Sequence, residues 1–440
     1  MKGSLRLLHC AAVIAIAGTA SNVAHAAIIT NWNVNNVVTT DVPDADGNFF
    51  STVYDTENAA PNAPATGSNT NGYIKFTPPE GGTPGLKLVN QAPPNPDSLA
   101  PAPSASTSNC IMAAGDASCN SEFQSGKRFK LDSTTLDPID LVFDVGTGGA
   151  VSQSALDTYK LFQKYGNNTD NVLSGFTIGL GFGVGDDFVS STAGDGLSFW
   201  DFGSNPAPKP NEFSALFSHG LFGAVDDDND RPQGYFSAER SGFMLDLLSE
   251  DLFKSTDLFG GEFGYSALFG DWMPYSMAPD GYFYDHDGDP LTDAILMAHY
   301  DEATSQWIMN RTLNTDGTIE MAAQGNDGAK YTTIASVESA LIAQASDLTL
   351  AACPSTPPIT PIPCLAGVGE IEDLAKFNVS YFVDPMSFDA VNSTYYVNGT
   401  PTITMRITAQ AATVPEPSTL ALLAIGLGLL VRRRKLLGNK

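Results

Sequence analysis

The stretch "LSGFTIGLGFGV", residues 173–184, decides how we interpret the fold. Its large apolar residues Phe176, Ile178, Leu180 and Phe182 alternate with threonine or glycine, which is the two-residue period of a half-buried β-strand. The glycines near its end imitate a dinucleotide-binding loop, but the sequence continues as "DDFVSS" with no helical pattern. A strand with close backbone packing is therefore the favoured interpretation.

Similar strand patterns occur on both sides of this stretch. Residues 28–54 begin with the alternating run "IITNWNVNNVVTT", which predicts an opening strand. Further runs of period two or of continuous apolar character are "IDLVFDV" (139–145), "DTYKLFQKY" (157–165), "AKFNVSYFV" (375–383), "STYYVNGT" (393–400) and "TITMRIT" (402–408). The chain is therefore predicted to be mainly β, as a β-sandwich-like domain with helical insertions.

The predicted insertions and loops lie between these runs. Residues 211–218 predict a short helix, 241–259 a second helical zone, and 336–350 a further helix in which Val337 and Leu341 keep near-helical spacing. Residues 55–108 are rich in Pro, Asn and Ser, with eight prolines from position 78 to position 103. That composition predicts a long loop.

Composition limits the possible partners. Removing residues 1–26 and 415–440 removes seven of the 22 Lys and Arg residues but only one of the 49 Asp and Glu residues. The remaining 48 acidic and 15 basic residues give a net charge of −33, which repels nucleic acid and anionic membranes and favours cations. Because the chain is 42% hydrophobic and 10% aromatic, it is able to form a sizeable core, in one large domain or two.

The N-terminus has the pattern of a signal peptide. Lys2 and Arg6 precede the apolar run "LLHCAAVIAIAGTA", and "AHA" at 24–26 is a small-residue cleavage site. Residues 1–26 are therefore predicted to be removed between Ala26 and Ala27, which leaves 27–413 as an exported ectodomain.

The C-terminus combines a short motif, an apolar run and a basic cluster. Val414, Pro415, Glu416 and Pro417 precede residues 418–431, which carry no charge, and four cations follow at 432–435. Fourteen helical residues span roughly 21 Å against about 30 Å of hydrocarbon, so this is a short transmembrane helix. A buried C-terminal helix is the alternative, although four adjacent cations fit poorly beside a core.

Residues 414–440 resemble the PEP-CTERM sorting signal of bacteria that produce exopolysaccharide. The resemblance implies that exosortase, a membrane protease-transpeptidase, recognises the triplet and removes the tail. The protein would then be anchored in the inner membrane before processing and reach the cell surface or extracellular matrix afterwards. Since "TITMRIT" runs almost directly into this signal, we expect the tail to hang from a sheet edge.

The body of the chain resembles the choice-of-anchor F family of exported bacterial domains. The resemblance rests on "GFGVGDDFV" (181–189), "FSHGLFG" (217–223), "LFGDWMP" (268–274) and "GYFYDHDGDPLTDAILMAHYD" (281–301). That family has no assigned activity, so the resemblance gives context without chemistry.

Four cysteines remain after removal of the signal peptide. An even number in an exported chain predicts disulfides, with three possible connectivities. Cys110 with Cys119 and Cys353 with Cys364 are close in sequence, so two local bridges are expected, with reduced thiols as the alternative. A zinc site is not favoured because the chain has no C-x-x-C pattern.

One acidic loop is a candidate calcium site. Three carboxylates alternate and a fourth falls at the ninth position of a calcium-loop pattern: Asp285, Asp287, Asp289 and Asp293. Pro290 replaces the usual glycine and Leu296 the usual glutamate, so the loop is not an EF-hand, and a solvated acidic turn is the alternative. The loops around Asp44 and Asp226 have similar spacing and are more simply interpreted as charged loops.

No enzyme signature accompanies these features. The region after residue 26 has three histidines, at 219, 286 and 299, and contains no H-E-x-x-H, G-x-S-x-G or P-loop pattern. We expect a non-enzymatic surface or matrix protein that binds calcium and contacts exopolysaccharide. The alternative is an exported hydrolase acting on polysaccharide, which clustered carboxylates in a deep aromatic groove would favour.

Overall fold

The structure is a computed structural model that describes most of the region between the two terminal signals. The described residues are 27–412, except 80, 91–108, 116–118, 120–127, 148–158, 193, 200–243, 250, 257–271, 287, 289–293, 318, 322–327, 354–361, 372–373, 386–387 and 391–392. The signal peptide 1–26, the predicted helix 211–218 and the tail from residue 413 lie outside them.

The described residues are mainly β-strand. In chain order the elements are β1 (Ala27–Asn33), β2 (Val37–Thr39), β3 (Phe49–Tyr54), β4 (Thr70–Phe76), β5 (Lys87–Val89), β6 (Asn109–Met112), β7 (Phe129–Ser133), β8 (Ile139–Thr147), β9 (Tyr159–Asn167), β10 (Leu173–Phe182), β11 (Val189–Ser190), β12 (Ser198–Phe199), β13 (Met244–Ser249), β14 (Leu252–Thr256), β15 (Asp280–Asp285), β16 (Ile295–Asp301), β17 (Gln306–Met309), β18 (Arg311–Leu313), β19 (Ile319–Met321), β20 (Lys330–Tyr331), α1 (Ile334–Gln344), β21 (Cys364–Glu370), β22 (Lys376–Asp384), β23 (Tyr396–Val397) and β24 (Thr400–Ala411).

Two large sheets form a β-sandwich. The first sheet has the order β1-β8-β24-β10-β14-β13, and the second sheet has the order β12-β22-β9-β7-β4-β3-β2. One hydrophobic core contains inward residues of both sheets, including Ile178 and Ile407 from the first and Leu131 and Tyr381 from the second. The alternation predicted from residues 173–184 is present in β10, where Phe176, Ile178, Leu180 and Phe182 are all buried.

A second β-rich unit is inserted between Trp272 and Ala375 of the sandwich. Its sheet has the order β20-β17-β16-β15-β21, and α1 packs on a separate hydrophobic core within it. Trp272 Nε1 donates a 2.7 Å hydrogen bond to the Ala375 carbonyl oxygen where the chain leaves and re-enters the sandwich. The insertion is therefore mainly β-strand rather than a set of helices. Its helix α1 (Ile334–Gln344) corresponds to the helix predicted at 336–350.

Two predicted segments differ from the structure. The predicted loop 55–108 contains β4, which pairs with β3 and β7 and places Ile74 in the core, and β5, which pairs with β6. The predicted helical zone 241–259 contains the hairpin of β13 and β14. The short apolar pattern of this zone fits the period of a helix as well as that of a strand. Pairing of β14 with β10 places Phe253 in the core.

The C-terminal strand also lies in an unexpected place. β24 pairs with β8 on one side and with β10 on the other, so it is an interior strand and the expectation of a sheet edge was wrong. Within it the apolar residues Ile403, Met405 and Ile407 alternate with Thr404 and Arg406 and lie in the sandwich core. The sorting signal therefore follows a central strand of the first sheet.

Candidate functional site

A cleft of about 990 Å³ lies beside the turn that follows β10. Five carboxylates line this acidic cleft: Asp55, Glu57, Asp137, Asp186 and Asp187. Amide and hydroxyl side chains, including Asn69, Asn71 and Thr402, contribute further polar groups. The lining comes from segments far apart in sequence, which is why no local motif indicated the cleft.

Arg406, which lines the acidic cleft, forms an ion pair with Asp140. The pairing of β8 with β24 places Asp140 directly opposite Arg406. Arg406 donates from Nε to Asp140 Oδ1 and from Nη2 to Oδ2, both at 2.7 Å, in the bidentate geometry of a strong charge-assisted contact. The Asp140 side chain is only 2% exposed, whereas that of Arg406 is 20% exposed.

The same ion pair holds the glycine-rich turn after β10. The Gly185 N–H donates to Asp140 Oδ2 and the Gly185 carbonyl accepts from Arg406 Nη2, both at 2.7 Å. The Arg406 guanidinium also lies 3.8 Å from the centre of the Phe188 ring. Gly185 has φ +60°, and a Cβ there would collide with the Asp55 carbonyl oxygen, so this turn requires glycine.

Two tyrosines, Tyr395 and Tyr396, also line the acidic cleft. Asn398 and Gly399, both with positive φ, form the two-residue turn between β23 and β24. Tyr395 stacks on Phe182 with ring centres 4.2 Å apart, and Tyr396 is 47% exposed. The cleft therefore combines flat aromatic surface with hydrogen-bonding groups of both kinds.

This combination suits a ligand that has many hydroxyl groups. Carboxylates accept hydrogen bonds from hydroxyls, amides both accept and donate them, and a tyrosine ring packs against the apolar face of a ring while its own hydroxyl remains hydrated. A concave polar site of this size is large enough for several sugar units.

The predicted calcium loop is described only in part. Asp285 ends β15, and its Oδ1 accepts a 2.7 Å hydrogen bond from the Gly288 N–H, where Gly288 has φ +66°. Asp287, Asp289 and Asp293 lie outside the described residues. Asp285 is close to the sulfurs of Cys353 and Cys364, but these are bonded to each other and so are not thiolate ligands.

The loop at Asp44 is closed by its own hydrogen bonds. Asp44 Oδ1 accepts from the N–H groups of Asp46 and Asn48, and Oδ2 accepts from Asn48 Nδ2 at 3.0 Å. The hydrogen bonds from Asn48 lower the pKa of Asp44 below its usual range. This geometry is that of a charged turn, while the loop at Asp226 lies outside the described residues.

Both short-range disulfides are present. Cys110 and Cys119 are joined with an S–S distance of 2.06 Å, and their bridge packs with Met112 and Phe162 on the outside of the second sheet. Cys353 and Cys364 are joined at 2.02 Å and attach the segment after α1 to the start of β21.

The histidines differ in how the structure places them. His299 is buried in β16, and its Nδ1 lies 2.9 Å from Asn310 Oδ1. Burial lowers the pKa of His299 below its usual range, so the neutral form is favoured. His286 is half-buried beside the Asp285 turn, and His219 lies outside the described residues.

Comparison with known proteins identifies the C-terminal tail. Residues 413–435 match the family described as the PEP-CTERM protein-sorting motif. No curated protein and no solved structure is significantly similar to the chain. Within the described residues no helix has the length and apolar character needed to cross a membrane, and the predicted span 418–431 lies outside them. The match supports an exported surface protein with exosortase as its processing partner.

Proposed function

We propose that this chain is an exosortase-processed surface protein whose β-sandwich associates with exopolysaccharide and does not act as an enzyme. The observation that carries the sorting part is the match at residues 413–435, which begins two residues after the end of β24. Removal of the tail at the PEP triplet leaves every described strand intact. Cleavage between Ala26 and Ala27 likewise removes no residue of β1.

The sorting part is tested by replacing Pro415, Glu416 and Pro417 with alanine in the producing bacterium. Because the triplet is the recognition element, we expect this variant to keep its tail and remain in the membrane fraction. A control with Ser418 and Thr419 replaced by alanine should be processed normally. The intact mass of wild-type protein released from the surface should correspond to a chain that lacks the tail. A mass that corresponds to a chain ending at Lys440 would refute the proposal.

Association with exopolysaccharide is proposed for the acidic cleft. Its five carboxylates, its amides and the exposed ring of Tyr396 are the groups that bind neutral sugars in concave sites. Affinity electrophoresis in a neutral polysaccharide such as dextran measures the binding, with Asp186→Asn and Tyr396→Ala as variants that weaken it. Val189→Thr, on the exposed strand β11 near the cleft, is the control.

The same cleft favours a second candidate, a hydrolase acting on polysaccharide. Hydrolysis of a glycosidic bond needs two carboxyl groups on either side of the bond, and the cleft holds several. Release of reducing ends from the purified matrix polymer distinguishes the two candidates. Activity that Asp137→Asn or Asp186→Asn abolishes would replace the non-enzymatic proposal.

Calcium binding by Asp285, Asp287, Asp289 and Asp293 is also part of the proposal. Its support is the alternate spacing of the carboxylates and the hydrogen bond from the Gly288 N–H to Asp285 Oδ1, where Gly288 has φ +66°. Exported proteins meet millimolar calcium, and sites of this class bind at about 10⁻⁴–10⁻³ M.

A further inference from the structure

The carboxylates of the acidic cleft come from three separate segments of the chain. The first segment follows β3 and carries Asp55 and Glu57, the second precedes β8 and carries Asp137, and the third is the turn after β10 that carries Asp186 and Asp187. Gly185 in that turn packs directly against the Asp55 carbonyl oxygen, which holds two of the three segments together. The negative charges are therefore distributed over the lining and are not confined to one loop.

These carboxylates have no counter-charge among the described residues. Arg406 is the one basic residue in the described lining, and its guanidinium is already hydrogen-bonded to both oxygens of Asp140. No described residue forms an ion pair with any of the five carboxylates. Four of the five, all except Asp55, are exposed, so their charges can act on a ligand that enters the cleft.

The positions of these carboxylates do not suit a single metal ion. Within the part of the chain that the structure describes, no three of them bring one oxygen each within 4.8 Å of one another. A calcium ion takes six to eight oxygen ligands at about 2.3–2.6 Å, so its ligands must converge on one point. Separated negative charges suit a ligand whose positive charges are also separated, such as the amines of a polymer.

A buried hydroxyl also lines the acidic cleft. Thr402, Thr404 and Arg406 alternate with the core residues of β24, so their side chains lie on the face of the strand away from the core. Thr404 Oγ1 donates a 2.7 Å hydrogen bond to the Gly183 carbonyl. Among the described residues no group forms a hydrogen bond with the hydroxyl of Thr402, which is only 1% exposed and belongs to the lining. Because a buried hydroxyl without a partner costs free energy, a hydrogen bond to a ligand in the cleft would be favourable.

The aromatic part of the lining favours a sugar over a basic peptide. Tyr396 is 47% exposed, and Tyr395 lies next to it in the cleft. The apolar face of a sugar ring packs flat against a tyrosine ring, whereas the flexible side chain of lysine offers no such face. The lining therefore combines a surface for a sugar ring with unpaired negative charge.

We propose that the acidic cleft binds a polysaccharide that carries free amino groups. The inference rests on the proposed association with exopolysaccharide and specifies the chemical class of the polymer. Each protonated amine carries a positive charge and donates hydrogen bonds, so it pairs with a carboxylate of the cleft while the sugar ring contacts Tyr396 and a sugar hydroxyl bonds to Thr402. A polymer with acetylated amines keeps the ring contact but loses the charge.

Two sugars of equal length separate the effect of charge from that of ring contact. They are the β-1,4-linked tetramer of glucosamine and its fully N-acetylated form. Titration calorimetry of surface-released protein is carried out at about pH 6, which is below the pKa of an amine and above that of an ordinary carboxylic acid. We expect the glucosamine tetramer to bind about tenfold more tightly at low salt. The difference should shrink in about 1 M salt, where the Debye length is about 3 Å.

Four variants assign this preference to the cleft. Asp186→Asn/Asp187→Asn removes two charges from an exposed turn and should reduce the preference for the amino sugar. Tyr396→Ala should weaken binding of both tetramers by a similar factor and leave the preference unchanged. Thr402→Val should weaken binding without lowering the melting temperature, because the hydroxyl loses no partner within the described protein. Asp41→Asn/Asp347→Asn removes two exposed carboxylates outside the cleft lining and should bind both tetramers like wild type.

The other outcomes separate this inference from the proposed function. Equal binding of the two tetramers, or binding of dextran alone, would overturn the assignment to an amino sugar and leave the association with exopolysaccharide in place. If neither tetramer nor dextran binds, both proposals are wrong. An unchanged preference in Asp186→Asn/Asp187→Asn, or an equal loss in the control, would overturn the assignment to the acidic cleft. Binding of a tetralysine peptide as tight as that of the glucosamine tetramer would overturn the assignment to a polysaccharide.

Discussion

Replacing Arg406 by methionine should destabilise the sandwich, because it removes the partner of a buried carboxylate. The substitution leaves Asp140, whose side chain is 2% exposed, with only the Gly185 N–H among the donors that now contact it. Removing one partner of a fully buried ion pair costs about 3–5 kcal/mol. Since Arg406 is itself one-fifth exposed, water enters more easily, and we expect a loss of about 2–3 kcal/mol in unfolding free energy.

A double-mutant cycle measures this loss and assigns it to the pair. Guanidinium unfolding is followed by tryptophan fluorescence for Arg406→Met, Asp140→Leu and the double variant. The double variant replaces two paired charges by apolar groups, so it should be at least about 1 kcal/mol more stable than the sum of the single losses predicts. Lys254→Met changes a cation of the same sheet, on strand β14, and should stay within about 0.5 kcal/mol of wild type.

If the single losses add to within about 0.5 kcal/mol, the reasoning is refuted, because Arg406 and Asp140 would then act independently.

The Arg406 substitution also has a consequence for the acidic cleft. The pair holds Gly185 from both its N–H and its carbonyl, so Arg406→Met should loosen the turn that carries Asp186 and Asp187. We therefore expect Arg406→Met to bind dextran more weakly than Lys254→Met does.

Three further predictions concern the disulfides, a buried histidine and the calcium loop. Peptide mapping without reductant should recover Cys110 linked to Cys119, and replacing both by serine should cost about 2–3 kcal/mol; free thiols at both positions would contradict this. Because the folded state lowers the pKa of His299 below 6.5, unfolding free energy should fall as pH drops below about 6.5, and His299→Gln should remove that part of the pH dependence. Titration calorimetry should show calcium binding at about 10⁻⁴–10⁻³ M that Asp287→Ala weakens; identical binding by the two proteins would leave the loop as an acidic turn.

Much of the fold was predictable because its strands have strong local patterns. β8, β9, β10, β22 and β24 each follow a run of period two or of continuous apolar residues. α1 was predicted from the spacing of Val337 and Leu341, both of which are buried. Two segments were predicted wrongly: β4 has seven residues but lies within a stretch rich in Pro, Asn and Ser, and the β13–β14 hairpin has a spacing that also fits a helix.

The candidate sites were less predictable than the fold. The turn after Asp285 was indicated by spacing, because its residues are neighbours in sequence. In contrast, Asp140 and Arg406 are 266 residues apart, and no pattern at either position indicates the other. The adjacency of Lys75, Lys130 and Lys164 on three neighbouring strands was not predicted for the same reason.

The sequence by itself therefore determined the sorting motif, the β class and the short-range disulfides, and it predicts an export signal at the N-terminus. These features depend on residues within one short segment, where composition and period are sufficient. Only the tertiary structure decided that β24 lies inside the first sheet, that the region from Trp272 to Ala375 contains a second core, and which side chains share the acidic cleft. Strand order and register set those neighbours, and both are fixed by packing between segments that are far apart in the chain.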